Sequence, residues 1–362
     1  MKVLHAAETV TGGVATVLNS LLADQQTRSR EGEIGWLIPD SQSNQISVDG
    51  KHGFTFKRSG RNFRSLLSFS MCFTRAILRH NPTAVHLHSS FAGAIGRVII
   101  MILKPRIRVI YCPHSWGFMM KCSQRKIKLY IALEKFLQHW TDKIICVSNF
   151  ESDHAVSVGI LNSKIVVIRN GVEDLDRLSK ESSGDAQWVN ALFIGRFDYQ
   201  KGFDILEEAS QLLDHSKVSV VAVGAPIKDC WVSSSSRIKI TGWLGRDQVA
   251  SWIARSDVLI VPSRWEGFAM APLEAMRSGV ALLTSDHPSL LEVLGDSAHG
   301  KHFESESPAD LARILKETDK SEWRRMGAAG RKLYESEFTA RMMCDLTWQA
   351  YLPYLTAVPS SN

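Results

Sequence analysis

Short runs of β-forming residues alternate with amphipathic stretches of helical period along almost the whole chain, and no feature narrows its fold more. A strand followed each time by a helix returns parallel to its neighbour, which leaves a sheet covered on both faces. Strand candidates in the first half are KVLHA, EIGWLI, FTFK, AVHLH, RVIYC, KIICVS and IVVIR, with helices over 13–27, 63–80, 91–103, 121–139 and 150–158. The scheme restarts with ALFIGR, VSVVAVG, RIKITG, DVLIVP and ALLTS, and helices over 202–213, 246–254, 270–278, 287–294, 308–317 and 321–336. Two such rounds predict an α/β chain of two doubly wound, Rossmann-like domains facing a cleft. Its 362 residues, more than one core usually organises, agree with that. The join is expected between Gly171 and Ala191, where EDLDRLSKESSGDAQ is polar and patternless and Asp174 and Asp176 read as solvated. After Thr339 a further helix begins, and Pro353 breaks it.

Composition removes several classes. Hydrophobic residues make up 44% and charged residues 22%, a globular mix that excludes a disordered or fibrous chain. The longest apolar run, from Val98 to Leu103, is far short of the roughly 18 residues needed to cross a bilayer. MKVLHAAETVTGG carries His5 and Glu8 where an export signal needs an unbroken apolar segment, so it reads as a first strand. Cys72, Cys112, Cys122, Cys146, Cys230 and Cys344 form no CxxC pair, as suits free thiols in a reducing cytoplasm and not a disulfide frame or zinc cage.

The net charge of +6 is unevenly spread. Residues 1–178 hold 23 Lys+Arg against 13 Asp+Glu, the remainder 20 against 24, and no acidic residue lies between Asp49 and Glu134. So long a stretch without a carboxylate points to an anionic partner: a membrane surface, a nucleic acid or a phosphorylated substrate. At about 100° per residue, Arg64, Arg75 and Arg79 fall on one side of the helix 63–80, with Leu66, Phe73 and Ile77 opposite. In 121–139, Lys121, Arg125 and Lys128 form one stripe and Ile127, Tyr130, Ile131 and Leu137 another. Together with Arg61, these cations form a candidate membrane-facing set. Basic amphipathic helices lie on anionic lipid; equally, every surface helix of such a domain turns an apolar stripe to the core and its charges to water. Nucleic acid is not expected, because no recognition motif accompanies the charge.

In doubly wound sheets ligands bind beyond the carboxyl ends of the strands, and four of those loops carry unusual residues. Gly12 and Gly13 follow the first strand, where backbone N–H groups can approach a phosphate, although a plain tight turn reads the same way. His114 directly follows the strand RVIYC, a position open to a functional or a structural histidine. His86 and His88 share a strand face, but no third ligand stands near them in sequence, so no metal site is expected. In GRFDYQKG, Arg196 and Lys201 flank a loop that opens a helix, a place for a diphosphate. In WEGFAMAPLEAM, Glu266 precedes a helix beginning near Ala269, and Glu274 sits in its second turn. Two carboxylates that can each hold a pair of vicinal hydroxyls, on either side of an anion-binding helix end, describe a site for a nucleotide sugar.

These residues resemble glycosyltransferase family 4, retaining enzymes of GT-B fold that use nucleotide-sugar donors. The resemblance rests on GGV near the start, CVSNF and IRNGVE before the join, GRFDYQKG, and EGFAMAPLEAMRSG, which holds the family's two glutamates at its spacing. It implies that Glu266 binds donor-sugar hydroxyls, Glu274 holds the ribose, and Arg196 and Lys201 meet the diphosphate. The backbone of Gly267, Phe268 and Ala269, with Gly12 and Gly13, would close around phosphate and sugar. His114 would approach the donor hexose, and the backbone at Trp243 and Leu244 would meet the nucleobase. The final helix would cross back to the first domain, giving domains of 1–172 with 340–362, and 173–339.

By the same resemblance the reaction is transfer of a hexose with retention to a saccharide acceptor, with no metal or other cofactor. Joined to the basic first half, it suggests a lipid-linked acceptor and a place at the cytoplasmic face of the inner membrane, in surface polysaccharide or lipopolysaccharide synthesis. Two rivals share the architecture: a non-hydrolysing nucleotide-sugar epimerase, and a membrane-surface binding protein without catalysis.

Overall fold

The computed structural model describes residues 1–30, 33–48, 52–60, 62–104, 106–120, 122–175, 188–214, 217–226, 237–296 and 298–352. It divides into two compact units, Met1–Asn170 with the segment from Ala340 on, and Gly171–Thr339.

In the first unit the strands are β1 (Val3–Ala7), β2 (Ile34–Pro39), β3 (Gly53–Phe56), β4 (Ala84–His88), β5 (Arg108–Cys112), β6 (Lys143–Cys146) and β7 (Ile165–Val167). They form one parallel sheet in the order β3-β2-β1-β4-β5-β6-β7, with His5 of β1 in register with His86 of β4. Its helices are α1 (Gly13–Arg28), α2 (Phe63–His80), α3 (Ser90–Leu103), α4 (Gln124–Leu137) and α5 (Asn149–Ser157). Leu4, Ala6, Val85, Leu87, Val109 and Tyr111 point from the sheet into a core that Phe69, Phe73 and Ile77 of α2 complete.

The last helix, α12 (Ala340–Tyr351), belongs to this unit and packs on α1. Cys344 Sγ donates to the Ser20 carbonyl at 3.5 Å, and Arg28 pairs with Asp345. The expected return of the tail to the first half is therefore present.

The second unit repeats the plan with β8 (Val189–Ile194), β9 (Val218–Val223), β10 (Ile238–Ile240), β11 (Val258–Val261), β12 (Ala281–Ser285) and β13 (Gly300–Phe303). The parallel order is β10-β9-β8-β11-β12-β13. Its helices are α6 (Phe203–Gln211), α7 (Arg246–Ala254), α8 (Met270–Arg277), α9 (Pro288–Leu294), α10 (Pro308–Glu317) and α11 (Lys320–Glu337). Phe193, Phe203, Leu206, Ile260, Leu283, Leu311 and Trp323 fill its core. Strand β13 was not expected from sequence: GKHF has no β-branched residue, and its glycine serves close approach. A Cβ on Gly300 would stand 2.3 Å from the Leu282 carbonyl oxygen.

The charge reading gains a physical basis and a correction. Arg64, Arg75 and Arg79 on α2, and Arg125 and Lys128 on α4, are exposed, while Arg61 and Lys121 lie outside the described residues. Glu134, the acidic residue that ends the carboxylate-free stretch, is buried against Arg97 at 2.7 Å and accepts from the Tyr111 hydroxyl at 3.2 Å. Removing either charge of such a buried pair costs about 3–5 kcal/mol, so this carboxylate serves the core and offsets none of the surface cations. The surface is also more apolar than the helical wheels suggested. Phe63, Leu67 and Met71, spaced every four residues on α2, are exposed, as are Leu129, Leu133 and Phe136 on α4.

Asp174 is exposed, in keeping with the solvated reading, and is also paired: both its carboxylate oxygens accept from Arg331 of α11, at 2.8 and 2.6 Å, and that guanidinium holds its carboxyl below the ordinary range. Asp176 lies outside the described residues. Cys72, Cys112, Cys122, Cys146 and Cys344 are free thiols, and Cys230 is outside the described residues.

Candidate active site

In the second unit, the loop from β8 to α6 and the loop from β11 to α8 interlock. The first turns through Gly202, whose φ of +65° favours glycine and whose Cβ would stand 1.9 Å from the Pro262 carbonyl oxygen of the second loop. A glycine is needed there because the two backbones touch. Arg264 then fastens the loops: its backbone N–H donates to the Gln200 carbonyl at 2.8 Å and its guanidinium to the Tyr199 carbonyl at 2.7 Å. The same guanidinium forms a two-pronged pair with Asp204 of α6, 2.7 Å on each prong, pairs with Glu306, and lies 3.8 Å from the centre of the Tyr199 ring.

Within this frame Lys201 and Glu266 meet. The Lys201 ammonium donates to Glu266 Oε1 at 2.5 Å, and the Ser263 hydroxyl donates to the same oxygen at 2.9 Å. Among the described residues no bond reaches Oε2, the oxygen left to accept from a ligand hydroxyl. Behind it, the Ser289 hydroxyl donates to the Glu266 carbonyl at 3.0 Å, and His287 Nδ1 lies 2.9 Å from that hydroxyl. Burial pushes the His287 imidazole below its ordinary range against the pull of Glu266, so it stands neutral at neutral pH.

Arg196 is placed differently. Its guanidinium donates to Gln200 Oε1 at 2.8 Å and pairs with Asp198 at 3.2 Å, while Asp198 also accepts from the Lys201 backbone N–H at 2.9 Å. Arg196 is thus steered by the loop that carries Lys201, with much of its surface in water. Sequence reasoning missed Asp198, Gln200, Ser263, Arg264, His287 and Ser289. Asp198 and Gln200 stand inside GRFDYQKG, where their polarity was the available signal, and Ser263 and Arg264 lie between DVLIVP and WEGFAMAPLEAM.

Glu274 lies in the second turn of α8, as expected, but outside the Lys201–Glu266 hydrogen bond. Loss of water pushes its carboxyl above the ordinary carboxylate range, and the Arg277 and Arg246 guanidinium groups act in the opposite direction. Gly267 and Phe268 lead into Ala269, the residue that caps α8 in extended backbone with no side-chain bond, and among the described residues no side chain accepts from the first N–H groups of the helix. Phe268 is buried beside Phe338. Trp243 and Leu244 follow β10 between Gly242 and Gly245, and Trp243 is largely exposed.

The first unit holds the remaining candidates. Gly12, at φ +56°, precedes α1, which Gly13 opens; a Cβ on Gly12 would touch nothing, so conformation alone selects glycine there. His114 and Ser115 are both in the left-handed region, at φ 52° and 103°, a strained pair of the kind found at functional turns. His86 and His88 do have a third histidine beside them, contrary to the sequence reading. His5 comes from β1 through the sheet register, and ligand atoms of the three rings lie within 4.8 Å of one another. Spacing along the chain could not show this, because 81 residues separate His5 from His86.

Comparison with known proteins shows the family. Residues 180–333 match the family described as glycosyl transferases group 1, and residues 11–175 match Glycosyltransferase Family 4. A protein of the cps region of Klebsiella pneumoniae is 34% identical over 365 residues, covering 98% of this chain and 100% of that one. The Escherichia coli UDP-Gal:alpha-D-GlcNAc-diphosphoundecaprenol alpha-1,3-galactosyltransferase is 29% identical over 251 residues, 62% of each chain. Among solved structures, Anabaena HepE in complex with UDP and glucose superposes with a TM-score of 0.80 at 16% identity, over 96% of this chain and 98% of that one.

The Glu274 environment sets a test. A carboxyl whose folded pKa lies above its unfolded value favours folding while protonated, and that contribution is lost as the pH rises through the folded pKa. Glu274→Gln should therefore melt at a higher temperature than the parent at pH 7, with the gap closing as the pH falls into the ordinary carboxylate range. A variant less stable than the parent at pH 7 would show instead that the carboxylate is held by a favourable pairing.

Proposed function

This chain belongs to the family-4 glycosyltransferases, and on that footing we propose that it transfers a hexose, with retention, from a nucleotide-sugar donor to a lipid-linked saccharide. Two relatives support that reading: one is a protein of a cps region, and the other is a UDP-Gal:alpha-D-GlcNAc-diphosphoundecaprenol alpha-1,3-galactosyltransferase. The observation that carries the donor reading is the Lys201–Glu266–Ser263 cluster at the strand ends of the second sheet.

Breaking the anomeric bond leaves negative charge on the β-phosphate oxygen of the departing nucleoside diphosphate. Arg196, Lys201 and the uncapped start of α8 provide positive potential fixed before the reaction, which is usually the main source of rate acceleration in such a site. In this reading the two cations take the place of a divalent metal. Lys201 has a second task, since its ammonium orients Glu266 so that Oε2 can accept from donor-sugar hydroxyls. Glu274, in its drier position, would receive the ribose hydroxyls, whose bonds to the charged carboxylate replace lost water.

The acceptor reading rests on the first unit. Helix α2 packs on α3 and α3 on α4, and this layer exposes Phe63, Leu67, Met71, Ile102, Leu129, Leu133 and Phe136 among Arg64, Arg75, Arg79, Arg125 and Lys128. Apolar side chains framed by cations suit the headgroup region of an anionic bilayer. No described helix is long and apolar enough to cross a membrane.

Lys201→Ala and Glu266→Ala should each lower transfer at least about 100-fold, the scale of removing one electrostatic contact to a transition state, with far-ultraviolet circular dichroism unchanged. Turnover near the parent's in both would remove the donor assignment. In flotation, the chain should rise with anionic vesicles and not with neutral ones, and Leu67→Ser with Met71→Ser should weaken the binding. Indifference to acidic lipid and to salt would count against the membrane reading.

A further inference from the structure

Behind His114 runs a buried line of hydrogen bonds that the transfer mechanism above does not use. His88 Nδ1 lies 2.9 Å from His114 Nε2, and His88 Nε2 lies 3.0 Å from His5 Nδ1. His5 Nε2 then lies 2.9 Å from Gln25 Oε1 of α1, whose amide nitrogen donates to the Tyr351 hydroxyl of α12 at 3.2 Å. The Tyr351 hydroxyl stands 2.6 Å from His86 Nδ1. His5, His88, Gln25 and Tyr351 are all at most 1% exposed, and burial holds the His5 and His114 imidazoles down at about 4.

In neutral imidazoles each ring has one N–H, so a line of them orders itself from one end. Gln25 turns its carbonyl oxygen to His5, which fixes the His5 proton on Nε2 and leaves Nδ1 bare. His88 must then donate from Nε2 and stand bare at Nδ1, and His114 must donate from Nε2. The far end of the line is His114 Nδ1, which has no bonding partner among the described residues. The branch through Tyr351 agrees: its hydroxyl accepts from Gln25 and gives its proton to His86 Nδ1. That leaves the His86 proton on Nε2, an atom that is buried and without a partner among the described residues.

We propose that Gln25, His5 and His88 are positioning residues that hold His114 as a neutral imidazole protonated on Nε2, leaving its Nδ1 lone pair to accept from a hydroxyl of a sugar substrate. The last clause rests on the glycosyltransferase reading above; the ordering of protons does not. The same imidazoles invite a metal, since His5, His86 and His88 bring ligand atoms within 4.8 Å. The His5–His88 contact at hydrogen-bond distance, with the acceptor Gln25 at one end and the donor His114 at the other, is what a proton-ordered line requires.

Nitrogen-15 NMR of the full chain labelled at histidine, with His114 identified by the signals lost in His114→Gln, reads the tautomer directly. The parent should show His114 Nδ1 unprotonated. Gln25→Leu, which removes the end that sets the direction, should shift both His114 nitrogens toward a mixture of tautomers and lower kcat about tenfold, the worth of one hydrogen bond, with the donor KM within about twofold. An N–H on His114 Nδ1 in the parent, an unmoved tautomer in Gln25→Leu, or one equivalent of zinc or copper in the purified chain would overturn the ordered line. A tautomer that moves as expected while kcat stays at the parent value would leave the line intact and remove its link to the sugar.

Discussion

The candidate site depends on one contact above others, the grip of Arg264 on the neighbouring loop. Its guanidinium is held by Asp204, Glu306 and the Tyr199 carbonyl, and lies over the Tyr199 ring, while its backbone binds Gln200. A planar group with five donors in a rigid fork can satisfy that many partners at once, where an ammonium would not. Because Lys201 and Glu266 belong to the two loops so joined, their short ion pair follows from that grip and from the close backbone approach at Gly202. Glu266 is then oriented by an ammonium and a hydroxyl before any ligand arrives, the preorganisation that makes a fixed charge effective in catalysis.

A different constraint shapes the first unit. Arg97, with no exposed surface, needs a carboxylate, and Glu134 supplies it from α4 while Tyr111 stacks on the guanidinium. Turning that acid inward leaves the outer faces of α2 and α4 to cations and apolar side chains. The other face of the same sheet is polar inside, where α1 and α12 cover His5, His86 and His88. One sheet thus separates a conventional core on one side from a hydrogen-bonded polar network on the other, and α12 closes that network through Tyr351.

Much of this was legible in the sequence for a physical reason. Buried parallel strands need continuous β-branched or apolar runs, and their helices need a stripe of period 3.6, so the alternation located every strand of the first sheet and five of the second. The motif loops could be placed because they sit where strands end. What escaped has equally definite causes. Gly300–Phe303 is chosen by backbone proximity, not by β propensity. Arg264 finds Glu306 42 residues away, and His5 meets His86 only through strand pairing. On α2 the wheel assigned the apolar positions to the core, yet Phe63, Leu67 and Met71 form a second apolar stripe facing out.

The claim at the centre is that the diphosphate of the donor rests where the loops after β8 and β11 meet. A structure of the whole chain with whichever of UDP, GDP or ADP binds it tests that most directly. The phosphates should lie within hydrogen-bond reach of the Arg196 guanidinium, the Lys201 ammonium and the first N–H groups of α8, with the ribose on Glu274. A nucleotide bound with its phosphates away from those groups would contradict it.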